Sequence, residues 1–126
     1  MLALYRSVGW TAYTENPQTL MAALAGSSHV VVARDGQVLV GLARVVSDGA
    51  SIAYLQDVLV HPDHQRGGVG AALVRAALAP YANVRQKVLL TDDDPAQRAF
   101  YQHLGYHEVH EHPAGSLRAF VRFDDS

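Results

Sequence analysis

The stretch Tyr54-Leu55-Gln56-Asp57-Val58-Leu59-Val60-His61-Pro62-Asp63-His64-Gln65-Arg66-Gly67-Gly68-Val69-Gly70-Ala71 decides how this chain folds. Tyr54 to Val60 reads as a strand, and Val69 to Ala79 as a helix. Between them, Gln65 to Gly70 form a glycine-rich turn. A turn of this kind, at the start of a helix, points successive backbone N–H groups into one small volume. The first helical N–H groups have no partner in the helix, and the helix dipole adds partial positive charge. Glycine lets another group approach the backbone closely and accepts φ > 0. The combination suits a phosphate or pyrophosphate.

Two common phosphate loops are excluded by the letters. A P-loop needs Lys and Ser/Thr after its last glycine, but Ala71 and Ala72 follow Gly70. A dinucleotide fingerprint G-x-G-x-x-G/A started at Gly68 ends on Leu73. The pattern present is Q/R-x-x-G-x-G/A, supplied by Gln65, Gly68 and Gly70. Six residues alone would also suit a surface turn with no ligand. A second segment lies downstream of a further strand-like run, Val84 to Thr91. It is Asp94-Pro95-Ala96-Gln97-Arg98-Ala99-Phe100-Tyr101-Gln102-His103-Leu104-Gly105-Tyr106. In order and context, the two segments resemble the signatures of the GCN5-related N-acetyltransferase (GNAT) family, which binds acetyl-CoA. The resemblance runs from about Val30 to Phe123.

Composition bounds the rest. The chain has 126 residues, of which 49% are apolar and 17% charged. That suits one folded domain with one hydrophobic core rather than a disordered chain. No apolar run approaches the roughly 20 residues of a membrane span, and the first residues lack a signal-peptide layout. There is no Cys, which excludes a disulfide framework, a thiolate zinc site and a Cys nucleophile. A net charge of −2 argues against a nucleic-acid surface. The expectation is a cytoplasmic protein with neither nucleic acid nor membrane as partner.

Turn signals divide the chain. Leu2 to Gly9 reads as the end of a short helix, and Pro17 to Ala25 as a second helix, started by Asn16-Pro17 and stopped by Gly26. His29 to Arg34 and Gln37 to Val46 read as strands joined at Asp35-Gly36, with the φ > 0 chemistry of a type I′ turn. Asp48-Gly49 leads into Ser51 to Val60. Asp94 before Pro95 is a helix start, and Gly105 ends that helix. Tyr106 to His112 and Leu117 to Phe123 read as a final hairpin around Pro113-Ala114-Gly115. This order predicts an α/β layered fold. The resemblance specifies a single acetyl-CoA-binding domain over residues 1–126. Its mixed, mostly antiparallel sheet has splayed central strands and helices on both faces. The family's first strand is absent, and the bare edge left behind allows a homodimer.

Val58, Leu59 and Val60 are apolar in succession, as in a strand buried on both faces. The resemblance implies that their exposed N–H and C=O groups bind the pantetheine arm of acetyl-CoA, the co-substrate. It also implies that Gln65, Arg66, Gly67, Gly68, Val69, Gly70 and Ala71 hold the phosphates. Asp94 stands where the family often has Asn contacting the pantetheine; Asp keeps the N-cap acceptor and loses the amide donor. In Tyr101 the resemblance implies the general acid for the departing CoA thiolate. Helical geometry sets Tyr101 about 100° from Phe100, at the edge of an inward stripe of Ala96, Phe100, His103 and Leu104.

The general base is open. Gln56 occupies a position where the family often has Glu, and Gln cannot take a proton. Asp57 points to the opposite face of a regular strand unless a bulge re-aims it. Asp57 is the base candidate, directly or through water, with His61 as an alternative. Trp10, Thr11, Tyr13 and Tyr54 are candidates for an acceptor pocket. His61, Asp63 and His64, or His110 and His112 on one strand face, would suit a metal, but no metal is expected. The reading is N-acetyl transfer to a small-molecule or peptide amine by direct attack in a ternary complex. The alternative is a non-catalytic acyl-CoA-binding module.

Overall fold

A computed structural model describes residues 1–113, 115 and 117–124. The chain forms two compact units, Met1–Leu90 and Thr91–Ser126. The first contains α1 (Leu2–Ser7), α2 (Thr11–Thr14), α3 (Pro17–Ala25), β1 (His29–Asp35), β2 (Val38–Ser47), β3 (Ile52–Val60), α4 (Val69–Leu78) and β4 (Gln86–Leu89). The sheet has four strands in the order β1-β2-β3-β4. The β1–β2 and β2–β3 pairs are antiparallel, and β3–β4 is parallel. The mixed α/β architecture and the initial helix follow the sequence reading.

Local chemistry explains the boundaries. Asn16 accepts the Thr19 N–H at 3.3 Å, and Pro17 opens α3, satisfying one orphan donor and using none at N1. In the β1–β2 hairpin, Asp35 pairs with Val38. Of the loop residues Gly36 and Gln37, only Gly36 has positive φ, 62°. That is the type II′ pattern rather than the type I′ expected. At the β2–β3 turn, Asp48 Oδ1 accepts N–H groups from Ala50, Ser51 and Ile52 at 2.9, 2.7 and 3.1 Å. These bonds hold its carboxyl well below the usual carboxylate range, the Ser51 hydroxyl bond being the largest cause. β4 is shorter than the predicted Val84–Thr91. The Val84 N–H bonds Tyr81 O at 2.9 Å, closing a turn instead of joining the ladder.

Both faces of the sheet are covered. Leu42 and Leu59 cluster with Leu4, Tyr5 and Leu20 from α1 and α3. The neighbouring Gly41 faces the other way, where an added Cβ would lie 2.8 Å from Leu73 Cδ1 of α4. Each fully buried Leu or Val in these layers contributes about 1.5–3 kcal/mol. Leu59 is buried, whereas Val58 and Val60 are half-buried. The expected burial on both faces therefore holds for one face only.

The second unit contains α5 (Pro95–His103). Asp94 caps it by accepting the Ala96 N–H at 2.9 Å. The inward stripe is narrower than predicted: Phe100, Tyr101 and Leu104 are half-buried, while Ala96 and His103 are exposed. A short unit with one helix cannot bury a whole helical face.

The predicted final hairpin is not formed among the described residues; its turn at Ala114 lies outside them. Val109–Glu111 is a 3₁₀ turn. Arg98 spans it, bonding Glu108 Oε1 at 2.9 Å and Glu111 Oε1 and Oε2 at 3.1 and 3.0 Å. Residues three apart eclipse on a 3₁₀ helix but fall on opposite faces of a strand. The turn therefore brings both carboxylates within reach of one guanidinium. The expected one-face pairing of His110 and His112 on a strand is lost with the hairpin.

Candidate functional site

The site begins where β3 parts from β4. Their pairing runs from Ile52↔Gln86 to Leu55↔Leu89 and stops. On its other edge β3 stays paired to β2 through Val58↔Ala43, Leu59↔Leu42 and Val60↔Gly41. Val58, Leu59 and Val60 therefore present one edge with no strand partner among the described residues. Such an edge offers N–H and C=O groups to an extended ligand.

A bulge marks the point of separation. Arg44 pairs with Asp57 and Val45 with Leu55, so Gln56 has no partner on β2. The extra residue re-aims the side chains around it. Gln56 is exposed and Asp57 is 3% exposed.

The chain beyond β3 leads to the glycine turn. Gln65 Nε2 donates to Val60 O at 3.1 Å and ties the turn to the strand end. Arg66 is exposed and takes φ of 69°. Gly68 caps α4 with φ of 83°, and a Cβ there would meet nothing within 4 Å. The first α4 bond from this cap runs from the Ala72 N–H to Gly68 O at 3.1 Å. The N–H groups of Val69, Gly70 and Ala71 thus lack an acceptor one turn back. Open space above a helix N-terminus lined with free donors fits a phosphate.

Beneath the bulge is a buried polar network. Arg44 Nε donates to Asp57 Oδ2 at 2.6 Å, and the Tyr5 hydroxyl donates to the same oxygen at 3.0 Å. The Tyr13 hydroxyl donates to Asp57 Oδ1 at 3.4 Å. It accepts from Arg44 Nη2 at 3.3 Å and Gln56 Nε2 at 3.4 Å. Burial, then the charge of Asp57, pushes the Tyr5 phenol far above its usual range. Tyr54 is raised by burial, then by Asp57 and Tyr13. Burial would lower the Arg44 guanidinium, but its bond to Asp57 and that carboxylate's charge outweigh it, and the shift is upward.

Sequence reasoning singled out Asp57 and Tyr13 but missed Arg44 and Tyr5. The signal for Arg44 was present: a cation inside the apolar run Val38 to Val46 needs a buried partner. Nothing comparable marked Tyr5. Of the acceptor-pocket candidates, Trp10 packs near Tyr13 with ring centroids 6.4 Å apart, while Thr11 is exposed. His61 Nδ1 accepts the Asp63 N–H at 3.1 Å. His64 Nε2 lies 3.9 Å from Asp35 Oδ2.

In the second unit, Tyr101 packs against Phe100 and Tyr106 with centroids 4.9 and 6.0 Å apart. Burial, then Tyr106, pushes its phenol up to about 12. Glu108, His110 and Glu111 bring one ligand atom each within 4.8 Å of one another, all on exposed residues. Arg98 already engages both carboxylates. No helix among the described residues is long and apolar enough to cross a membrane.

Comparison with known proteins gives the same family as the two motifs. A family model for an acetyltransferase (GNAT) domain matches residues 26–108, more than half of the chain. A mycothiol acetyltransferase from Parafrankia sp. is 35% identical over 83 residues, covering 66% of this chain and 25% of that protein. A GNAT-family acetyltransferase structure from Streptococcus pneumoniae superposes with a TM-score of 0.84 at 29% identity, covering 99% of this chain and 89% of that one. An aminoglycoside N-acetyltransferase solved with CoA shares the fold, with a TM-score of 0.71 at 17% identity, covering 99% and 86%. The chain spans 25% to 49% of the length of the curated relatives it matches. On its motifs, its sheet and the matched family model, this chain belongs to the GNAT family of acetyltransferases.

Proposed function

We propose that this protein is an N-acetyltransferase that moves an acetyl group from acetyl-CoA to an amine within a ternary complex. The observation that carries this is the open β3 edge leading directly into a phosphate-suited helix N-terminus. The N–H groups of Val69, Gly70 and Ala71, with Gln65, Arg66, Gly67 and Gly68 in the turn, would hold the phosphates. The open edge of β3 over Val58, Leu59 and Val60 would align the pantetheine arm, chiefly through the main-chain groups of Val58 and the N–H of Val60, whose carbonyl accepts from Gln65. Acetyl-CoA supplies an activated acetyl thioester when bound.

Asp57 would take the proton that the amine nitrogen sheds as it attacks. Its oxygens are occupied by Arg44, Tyr5 and Tyr13, so the proton would reach it through the Tyr13 hydroxyl. Tyr101, assigned from the second motif alone, would protonate the leaving thiolate; burial keeps its phenol neutral and protonated at working pH. Asp94 is committed to its cap by one oxygen, and any contact with the arm would use the other.

A second reading, an acyl-CoA-binding module without turnover, draws on the neutral Gln56 and the enclosed Asp57. Calorimetry with CoA, followed by CoA release over an amine panel, separates the two. Tight binding with turnover supports the transferase, and binding without turnover supports the module. Absence of binding would sink both.

A further inference from the structure

At the bulge, the side chain facing solvent is an uncharged amide, and the carboxylate beside it is enclosed. Gln56 is exposed and gives an N–H to Tyr13, which leaves its carbonyl oxygen as an acceptor. Asp57 is 3% exposed, and Arg44 balances its charge across 2.6 Å. The other titratable groups turned toward this point are phenols, Tyr5 of α1, Tyr13 of α2 and Tyr54 of β3. Among the groups just named, all in the unit Met1–Leu90, the corner thus has acceptors for an amine N–H and no uncompensated negative charge for an ammonium.

We infer that Gln56 makes the protein selective for weakly basic acceptor amines, those adjacent to a carbonyl or amide, over alkyl amines of lysine-like basicity. This rests on the proposed acetyl transfer. An α-amino group titrates near ~8 and a lysine-type amine near ~10.4, so at pH 7.5 the free-base fractions differ by about 200-fold. A site with an exposed carboxylate would attract the ammonium and reduce that gap. A site offering one amide oxygen binds the amine that is already neutral. The step balances: the neutral nitrogen forms the bond to the acetyl carbon and sheds one proton toward Tyr13 and Asp57. The carbon–sulfur bond breaks, and the thiolate takes a proton.

The test compares glycinamide with propylamine, similar in size and different in basicity, in the parent and Gln56→Glu. In the parent, kcat/KM at pH 7.5 should favour glycinamide by at least about 30-fold. The propylamine rate should climb about tenfold per pH unit to pH 9 while the glycinamide rate levels near pH 8. Gln56→Glu should narrow the preference by about tenfold. Independently of turnover, glycinamide added to the CoA-loaded protein should shift the Gln56 side-chain NH₂ resonances in NMR, and propylammonium should not. Equal use of both amines by the parent, or an unchanged preference in Gln56→Glu, overturns the inference while leaving acetyl transfer intact. No CoA release with either amine, and no calorimetric CoA binding, overturns the transferase reading itself.

Discussion

Arg44 and Asp57 face each other across the bulge in β3, with Nε and Oδ2 2.6 Å apart and side chains 7% and 3% exposed. They are register partners on adjacent strands; Ser27 and Tyr13 also accept from Arg44, and Tyr5 and Tyr13 donate to Asp57. The pair holds the hydroxyl of Tyr13 in place beside Gln56.

Removing one member leaves a buried charge unpaired. Arg44→Met or Asp57→Asn should each lower stability by about 3–5 kcal/mol. The double variant should recover more than half of the summed loss, because no lone charge remains. Urea unfolding of the three variants checks this. Strictly additive losses would mean that the pair is not coupled.

The glycine turn separates backbone strain from ligand access. Gly68 holds φ of 83°, so Gly68→Ala should destabilise the fold by about 1–2 kcal/mol. At Gly67, which is not among the positive-φ residues, an added Cβ would lie 3.8 Å from His64 O. Gly67→Val should therefore fold like the parent yet bind CoA at least about tenfold more weakly, roughly 1.4 kcal/mol. Thermal melts and calorimetry read the two effects apart. Parent-like CoA affinity in Gly67→Val would contradict the phosphate role.

Tyr101→Phe keeps the ring and removes the proposed donor. The rate should fall about 10²- to 10⁴-fold with CoA affinity unchanged. With the phenol pushed up to about 12, the parent's alkaline limb should stay flat through pH 10. A loss below about threefold would reduce Tyr101 to packing.

Tyr101 and Tyr106 both titrate near 12 in the folded chain, above the usual value near ~10. The folded state holds these protons more tightly. The stabilisation is complete below about pH 10 and is lost as pH rises through 12. Alkaline unfolding should become shallower in Tyr101→Phe and Tyr106→Phe, as followed by circular dichroism.

The Tyr106 hydroxyl is buried without a hydrogen-bond partner among the described residues. Tyr106→Phe at neutral pH should accordingly be neutral or stabilising by about 1 kcal/mol. A clear loss of stability would reveal a partner for that hydroxyl.

Features set by neighbours along the chain were legible from the letters. Asn16-Pro17 and Asp94-Pro95 start helices because a side-chain oxygen and a fixed φ act within three residues. The turn from Gln65 to Gly70 announced a helix N-terminus with open donors for the same reason, since glycine and the helix start sit side by side. Features set by residues distant in sequence were not legible. The enclosure of Asp57 depends on Tyr5, 52 positions away, and on Arg44 across a bulge. The pairing of Arg98 with both Glu108 and Glu111 joins residues 10 and 13 positions apart. Local backbone geometry is decided by a few adjacent dihedrals, so sequence alone marked the helix starts and the glycine turn. Charge burial and strand register are decided by which distant side chains meet once the sheet has closed, and only the tertiary structure settled those.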